Sequence, residues 1–333
     1  MIRVLNIIGV FVLCGFLSPG VHAKTLKFAT LAPAGTTWMK EMKAGAKQVK
    51  KRTEGRVKIK FYPGGVMGND QSVHRKIKIG QLHGGAFTPG GLSHVYPSIQ
   101  AYGLPMLFNT LEEVDYVRGK VEPLIKQGVE EEGFVVLGIS EGGFVRILSK
   151  YPMQDLETIR QSKVWIPEGD RLSQITFKAL GISPVALPIS DVFTGLQTGL
   201  IETVAVNPTS ALAFQWHTST GYMTDIPISY VIGVLAIQKK AFDKLKAEDQ
   251  AIVREEMGKV FKRLDSKNRQ DNQQAVEVLK KQGIQFVMPN PGERDRWKSI
   301  SDKAVEEMTA SGFIDSKVAG EVQQHLRTLR SSQ

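Results

Sequence analysis

From Lys24 onward, short stretches of alternating apolar residues are separated by longer stretches with helical periodicity, and this alternation is the strongest constraint on the fold. "KTLKFATLAP" sets Leu26 and Phe28 on one face of a strand. Thr36 or Thr37 can cap a helix carrying Trp38, Met42, Gly45 and Val49 on one side. "VKIKFYPGG" repeats the strand pattern through Val57, Ile59 and Phe61, and Pro63-Gly64-Gly65 ends it. A helical "DQSVHRKIKIGQL" and a short strand "GGAFT" follow. Strand, helix, strand, helix, strand predicts a parallel α/β layer.

The order recurs. "GFVVLGI", "FVRILS" and "KVWIP" read as three strands, and "IETVAVNP" as a buried strand ending in a polar turn. "DRLSQITFKAL" and "DVFTGLQTG" read as helices closed by Gly181 and Gly199. After "VIGVLAIQ" a long helical region covers residues 240–282, with Val253, Met257, Val260 or Phe261 and Leu264 on one face. "GIQFVMP" is a late strand, followed by a C-terminal amphipathic helix. A chain of 333 residues exceeds one ordinary core, and no low-complexity tether divides it. Two lobes sharing several crossing segments are therefore predicted.

The N-terminus is read separately. Arg3, an apolar run from Val4 to Leu17, Pro19-Gly20 and the small-residue site Val21-His22-Ala23 form a secretory leader with cleavage expected after Ala23. The only cysteine, Cys14, lies inside it and is preceded by Leu13, which argues against a lipid anchor. The exported chain would then have neither disulfide nor thiolate metal site, which points to a bacterial periplasmic protein. Its formal charge of +10 becomes about +9 when Arg3 is removed. Export removes nucleic acid as a partner, and the densest basic run, "KQVKKR", ends a helix where cations suit the dipole.

Few strings suggest chemistry. Gly138-Ile139-Ser140-Glu141-Gly142 matches G-x-S-x-G, but a nucleophile elbow needs a helix after the serine, and "GFVRILS" looks like a strand. Among the six histidines none pairs at helical spacing, so no zinc site is expected. No phosphate loop or dinucleotide fingerprint is present, and no cofactor is expected. Of the four tryptophans, Trp38 lies on the apolar face of the first helix, Trp165 and Trp216 sit near loop ends, and Trp297 lies in the charged "ERDRWKS", as a surface or packing residue.

"TLKFATLAPAGTTW", "VKIKFYPGGVMGND", "AYGLPMLF", "LGISPVALPISDVFTGLQTGLIE" and "VNP" occur in an order that resembles the DctP-like solute-binding proteins of tripartite ATP-independent periplasmic (TRAP) transporters. The resemblance spans the chain after the leader and is most specific over residues 180–208. There "DVFTGLQTGLIE" is similar to the family's E-V-Y-x-A-L-Q-x-G-x-V-D. It implies an α/β periplasmic binding protein of two lobes, with an interdomain cleft, crossing hinge strands and a long connecting helix. It further implies capture of a small organic ligand, delivery to membrane permease subunits, no chemistry, and a monomer. Residues 1–23 would be the leader, 24–142 with 233–272 one lobe, and 143–232 with 273–333 the other.

The departures from the family bear on the ligand. Where the family has G-L-K-I-R-V-P, with an arginine that grips a carboxylate, this chain has "QSKVWIP" and Trp165. A second family arginine aligns with Val145, leaving Arg146 one residue away and on the opposite face of a strand. The family's Q-E-N-P has become "VAVNP", keeping Asn207. The resemblance makes Trp38, Phe87, Thr88, Arg146, Trp165, Asn207 and Trp216 the candidate ligand-binding residues. An organic acid could be held through other donors such as Arg146, Arg171 or Asn207; otherwise a larger, more apolar or aromatic ligand stacks on Trp165, or Trp165 simply fills the pocket. Two further readings stand beside solute capture: an envelope carrier of an apolar or aromatic ligand for another system, and a serine hydrolase using Ser140.

Overall fold

β1 (Lys24–Thr30) pairs in parallel with β2 (Val57–Tyr62) and β3 (Gly84–Phe87) in the computed structural model, which describes residues 23–332. The expected leader, with Cys14, lies outside the described residues apart from Ala23. Leu26 and Phe28 are fully buried, as their alternation requires. Between β1 and β2 runs the helix Thr37–Arg52, capped by Thr36 and ending on Lys50, Lys51 and Arg52. Its buried face is Met39, Met42, Gly45 and Val49, which leaves Trp38 only half-buried at the rim.

The parallel expectation holds for these three strands and then fails. β4 (Phe134–Ser149) is one strand of 16 residues, not two, and β8 (Tyr222–Gln238) has 17. β8 lies antiparallel between β3 and β4, and β7 (Thr203–Val206) lies antiparallel on the far end of β4. The seven-stranded sheet runs β2-β1-β3-β8-β4-β7, with β9 (Gln285–Val287) added parallel to β8. β5 (Trp165–Pro167) and β6 (Val185–Leu187) form a separate parallel pair. The glycines that suggested a break between two strands instead create irregular register between Glu141 and Gly143, with Gly143 at φ +107°.

β4 and β8 therefore run through both halves of the molecule, and the helix Ala247–Lys281 accompanies them for 35 residues. A short helical turn, Lys239–Phe242, precedes it, so the long helical region begins in two pieces. Val253, Met257, Val260, Phe261 and Leu264 are buried against Leu26, Met42 and Leu235. Burying an aliphatic or aromatic side chain of this size contributes about 1.5–3 kcal/mol. A second core joins Trp165, Leu196, Val204 and Trp216. The C-terminal helix Ser316–Ser331 packs Val318, Val322 and Leu326 with Val114, Val121 and Ile125 of the helix Leu111–Glu131. Its packing thus sets it beside the segment expected in the first lobe, although residues 273–333 were expected in the second. The architecture is α/β and two-lobed.

Candidate functional site

The irregular stretch of β4 forms part of the wall of a cavity of about 350 Å³, within the roughly 300–1,000 Å³ typical of small-molecule sites. Gly142 and Val145 of β4 and Tyr230 and Gly233 of β8 lie at its back. The ends of β1 and β3 supply one side, β5 and β7 the other, and the long helix contributes Asp271 and Asn272. Six of the seven candidate residues line it: Trp38, Phe87, Thr88, Trp165, Asn207 and Trp216.

Trp38 meets the edge of Phe261 at 5.4 Å and lies flush against Gly233. A Cβ at residue 233 would come within 2.3 Å of the indole, so the ring's position needs glycine there. Phe87 is stacked on His74 at 4.8 Å. The Thr88 hydroxyl accepts from the Gly91 N–H at 3.0 Å and donates to Asp70 at 3.1 Å. Burial pushes the Asp70 carboxyl up to about 6, and the Thr88 hydroxyl opposes that only in part.

Trp165 is 4% exposed, and its indole N–H donates to the Leu187 carbonyl at 3.0 Å. Its ring meets Trp216 edge-on at 5.2 Å, and Trp216 in turn stacks on Phe214 at 5.2 Å. The ring therefore belongs to a core and to the cavity wall at once. Asn207 is committed: its Nδ2 donates to the Gly142 carbonyl at 2.5 Å, and its Oδ1 accepts from the Ser210 N–H at 2.8 Å. Asn272 donates to the same Gly142 carbonyl at 2.8 Å, so β7 and the long helix are both tied to the irregular stretch of β4.

Arg146 is the exception. It is not among the residues lining the cavity, and its Nε and Nη2 both reach Asp225 Oδ1 at 3.1 Å. Val145 lines the cavity in its place, as strand alternation requires. Arg171 does not line it either; its guanidinium lies over the Phe313 ring at 5.0 Å. Among the described residues that line the cavity there is no lysine, arginine or histidine, while Asp170 and Asp271 are both present.

Sequence reasoning missed Gln100, Asp170, Phe214, Tyr230 and Asp271, all of which line the cavity. Asp170 carried a local signal, as the cap of the helix Arg171–Ala179, and Phe214 lies two residues before Trp216. Asp271 lies on the long helix between the buried Asn268 and Ala275, where the apolar stripe has given way to polar residues, and it carried no apolar signal.

The hydrolase reading is overturned. Ser140 is fully buried in the middle of β4, and its Oγ donates to Asp265 Oδ1 at 2.7 Å and accepts from Asn268 at 3.3 Å. No turn into a helix follows, so the hydroxyl is neither exposed nor set at a helix start, and its partners are Asp265 and Asn268 and not a histidine. Trp297 is a packing residue, 4% exposed, with its N–H on Glu293 at 2.9 Å.

The family described as "Bacterial extracellular solute-binding protein, family 7" matches residues 28–311. "Uncharacterized protein YiiZ" of Salmonella typhimurium is 28% identical over 212 residues, 62% of this chain and 64% of that protein. The "2,3-diketo-L-gulonate-binding periplasmic protein YiaO" of Escherichia coli is 23% identical over 244 residues, 72% of this chain and 73% of its own length. Among solved structures, the sugar acid binding protein DctPAm from Advenella mimigardefordensis, in complex with galactonate, superposes with a TM-score of 0.85. It is 19% identical and covers 92% of this chain and 98% of that one. Nothing in these comparisons supports a carrier serving another system. Among the described residues no helix is long and apolar enough to cross a membrane.

Proposed function

Because the chain belongs to family 7 of the bacterial extracellular solute-binding proteins and is not an enzyme, we propose that it captures a small organic solute in this cavity and delivers it to the permease subunits of a TRAP transporter. The observation that carries the reading is the origin of the cavity walls. Trp38 comes from the helix that follows β1, Phe87 and Thr88 from the end of β3, Trp165 and Trp216 from β5 and the turn before β8, and they converge where β4 and β8 run side by side. A ligand touching both sides would be enclosed by rotation of the lobes, the usual motion of such proteins. The proposed division falls at residues 142/143 and 232/233, beside the irregular register of β4, with the C-terminal helix counted to the first lobe on its packing.

Trp38, Phe87, Thr88, Trp165 and Trp216 are the proposed contacts, and Asn207 holds the wall through Gly142. The protein acts as a monomer in this reading. Residues 1–23 are removed on export to the periplasm, in keeping with the leader-like composition of that segment. A thermal-shift screen of small organic solutes tests the proposal. A true ligand at a hundredfold excess over its Kd stabilises by about 2.7 kcal/mol, and small-angle scattering should show compaction with it. A screen in which no solute class stabilises the folded protein would sink the reading.

A further inference from the structure

The only charged groups among the described residues that line the cavity are carboxylates, Asp170 and Asp271. Gln100 is 3% exposed; its Nε2 donates to Asp170 Oδ1 at 2.8 Å, and its Oε1 has no partner. Asp170 further accepts from the Ser173 hydroxyl at 2.6 Å and amide at 3.3 Å, and Asp271 accepts from the Thr37 hydroxyl at 2.6 Å. The bonded partners of both carboxylates are neutral, and no cation among the described residues lines the space between them. The Trp165 N–H is used on Leu187, the Asn207 amide on Gly142 and Arg146 on Asp225, so what the wall still offers an acid is neutral, as with the unpartnered Thr209 hydroxyl. A ligand carboxylate brought here would be desolvated without a counter-charge and would face two like charges.

A ligand ammonium has the opposite prospects. It can make charge-assisted bonds to Asp170 or Asp271, which line the cavity with no cation among the described residues that share its wall. The indoles of Trp165 and Trp216 stand at 74° to one another, and with Phe214 they present aromatic surface suited to a flat apolar body or a cation. Resting on the solute-capture reading above, we propose that the cargo is an amine-bearing organic cation with a flat apolar body, and that it carries no carboxylate headgroup.

Calorimetric titration of the purified protein with four probes decides this: 2-phenylethylamine, its uncharged analogue 2-phenylethanol, 3-phenylpropanoate and L-gulonate. The amine should bind at least tenfold more tightly than the alcohol, and both acids more weakly than either. Asp170→Asn, which keeps a helix-capping side chain, and Asp271→Asn should each lower amine affinity about tenfold and more than they lower alcohol affinity, with circular dichroism as the control for folding. Tighter binding of either acid than of the amine overturns the inference and leaves solute capture standing. So does equal binding of amine and alcohol, or amine affinity unmoved in both variants. If none of the four binds at millimolar concentration while the protein is folded by circular dichroism, the inference fails; if a wide solute screen is also blank, solute capture fails with it.

Discussion

Two acid-bearing neighbourhoods meet at the Tyr230 ring, and they are built on opposite rules. On the buried side, Glu141 is held by Arg269 through Nε at 2.7 Å and Nη2 at 2.9 Å, and it accepts the Tyr230 hydroxyl at 2.5 Å. Arg269 also reaches Asp115 at 3.0 Å, and Arg118 lies 3.4 Å from Asp265. Each of these acids has a guanidinium beside it. On the cavity side, Asp170 and Asp271 have only neutral partners. A chain with a formal charge of +10 has no shortage of cations. Arg269 ties Glu141 of β4 to the long helix, and Arg118 sets the helix Leu111–Glu131 beside Asp265 of that same long helix. The cavity is left without an arginine among the described residues that line it. An arginine close to a cleft is therefore not by itself a ligand-binding arginine; its partners decide.

The largest expected effect breaks the paired side. Arg269→Ala would leave Glu141, 1% exposed at its side chain, without its main counter-charge. The expected loss is about 3–5 kcal/mol in denaturant unfolding, and a loss under about 1 kcal/mol would show that the pair is not structural.

Asp70, behind the Thr88 wall, shows what an acid does with a hydroxyl in place of a cation. Its carboxyl is raised from 3.8 to about 6. Below its unfolded value both states hold the proton and there is no cost. As pH rises toward about 6 the unfolded chain releases the proton and the folded chain keeps it, so stability falls; above that the cost is constant. Asp70→Asn should remove this fall, becoming more stable relative to wild type by about 2–3 kcal/mol on going from about pH 4 to about pH 7. An equal difference at the two pH values would contradict it.

On the cavity side, Gly233→Ala should displace Trp38, with a loss of about 1–3 kcal/mol in stability and weaker binding of whatever ligand is found. Unchanged ligand affinity would place Trp38 outside the contact set. The smallest change tests the absent cation directly. Trp165→Arg should gain about tenfold, or about 1.4 kcal/mol, in affinity for a simple carboxylate such as L-gulonate by calorimetry. Trp165→Phe, which removes the bond to Leu187 and keeps most of the ring surface, should not.

Much of the fold was legible where its signals are local. Leu26, Phe28, Val57, Val253 and Met257 announce their burial by spacing, and Thr36 and Gly199 mark helix ends. The join of "GFVVLGI" and "FVRILS" into one strand was not legible, since an irregular register and a strand break both place glycines in the same run. The antiparallel insertion of β8 between β3 and β4 was hidden because pairing partners lie far apart in sequence.

The same division runs through the site. Sequence by itself determined the family, the alternation that sends Val145 and Arg146 to opposite faces, and the exchange of a guanidinium for an indole at Trp165. Only the tertiary structure decided which charges face the cavity. Asp271 comes from the middle of a long helix, Asp170 from a helix cap and Gln100 from a short turn, and no local periodicity links them. Hydrogen bonding and charge compensation act across space, so whether an arginine is free to grip a ligand or already held by Asp225 or Glu141 is settled only when distant segments meet.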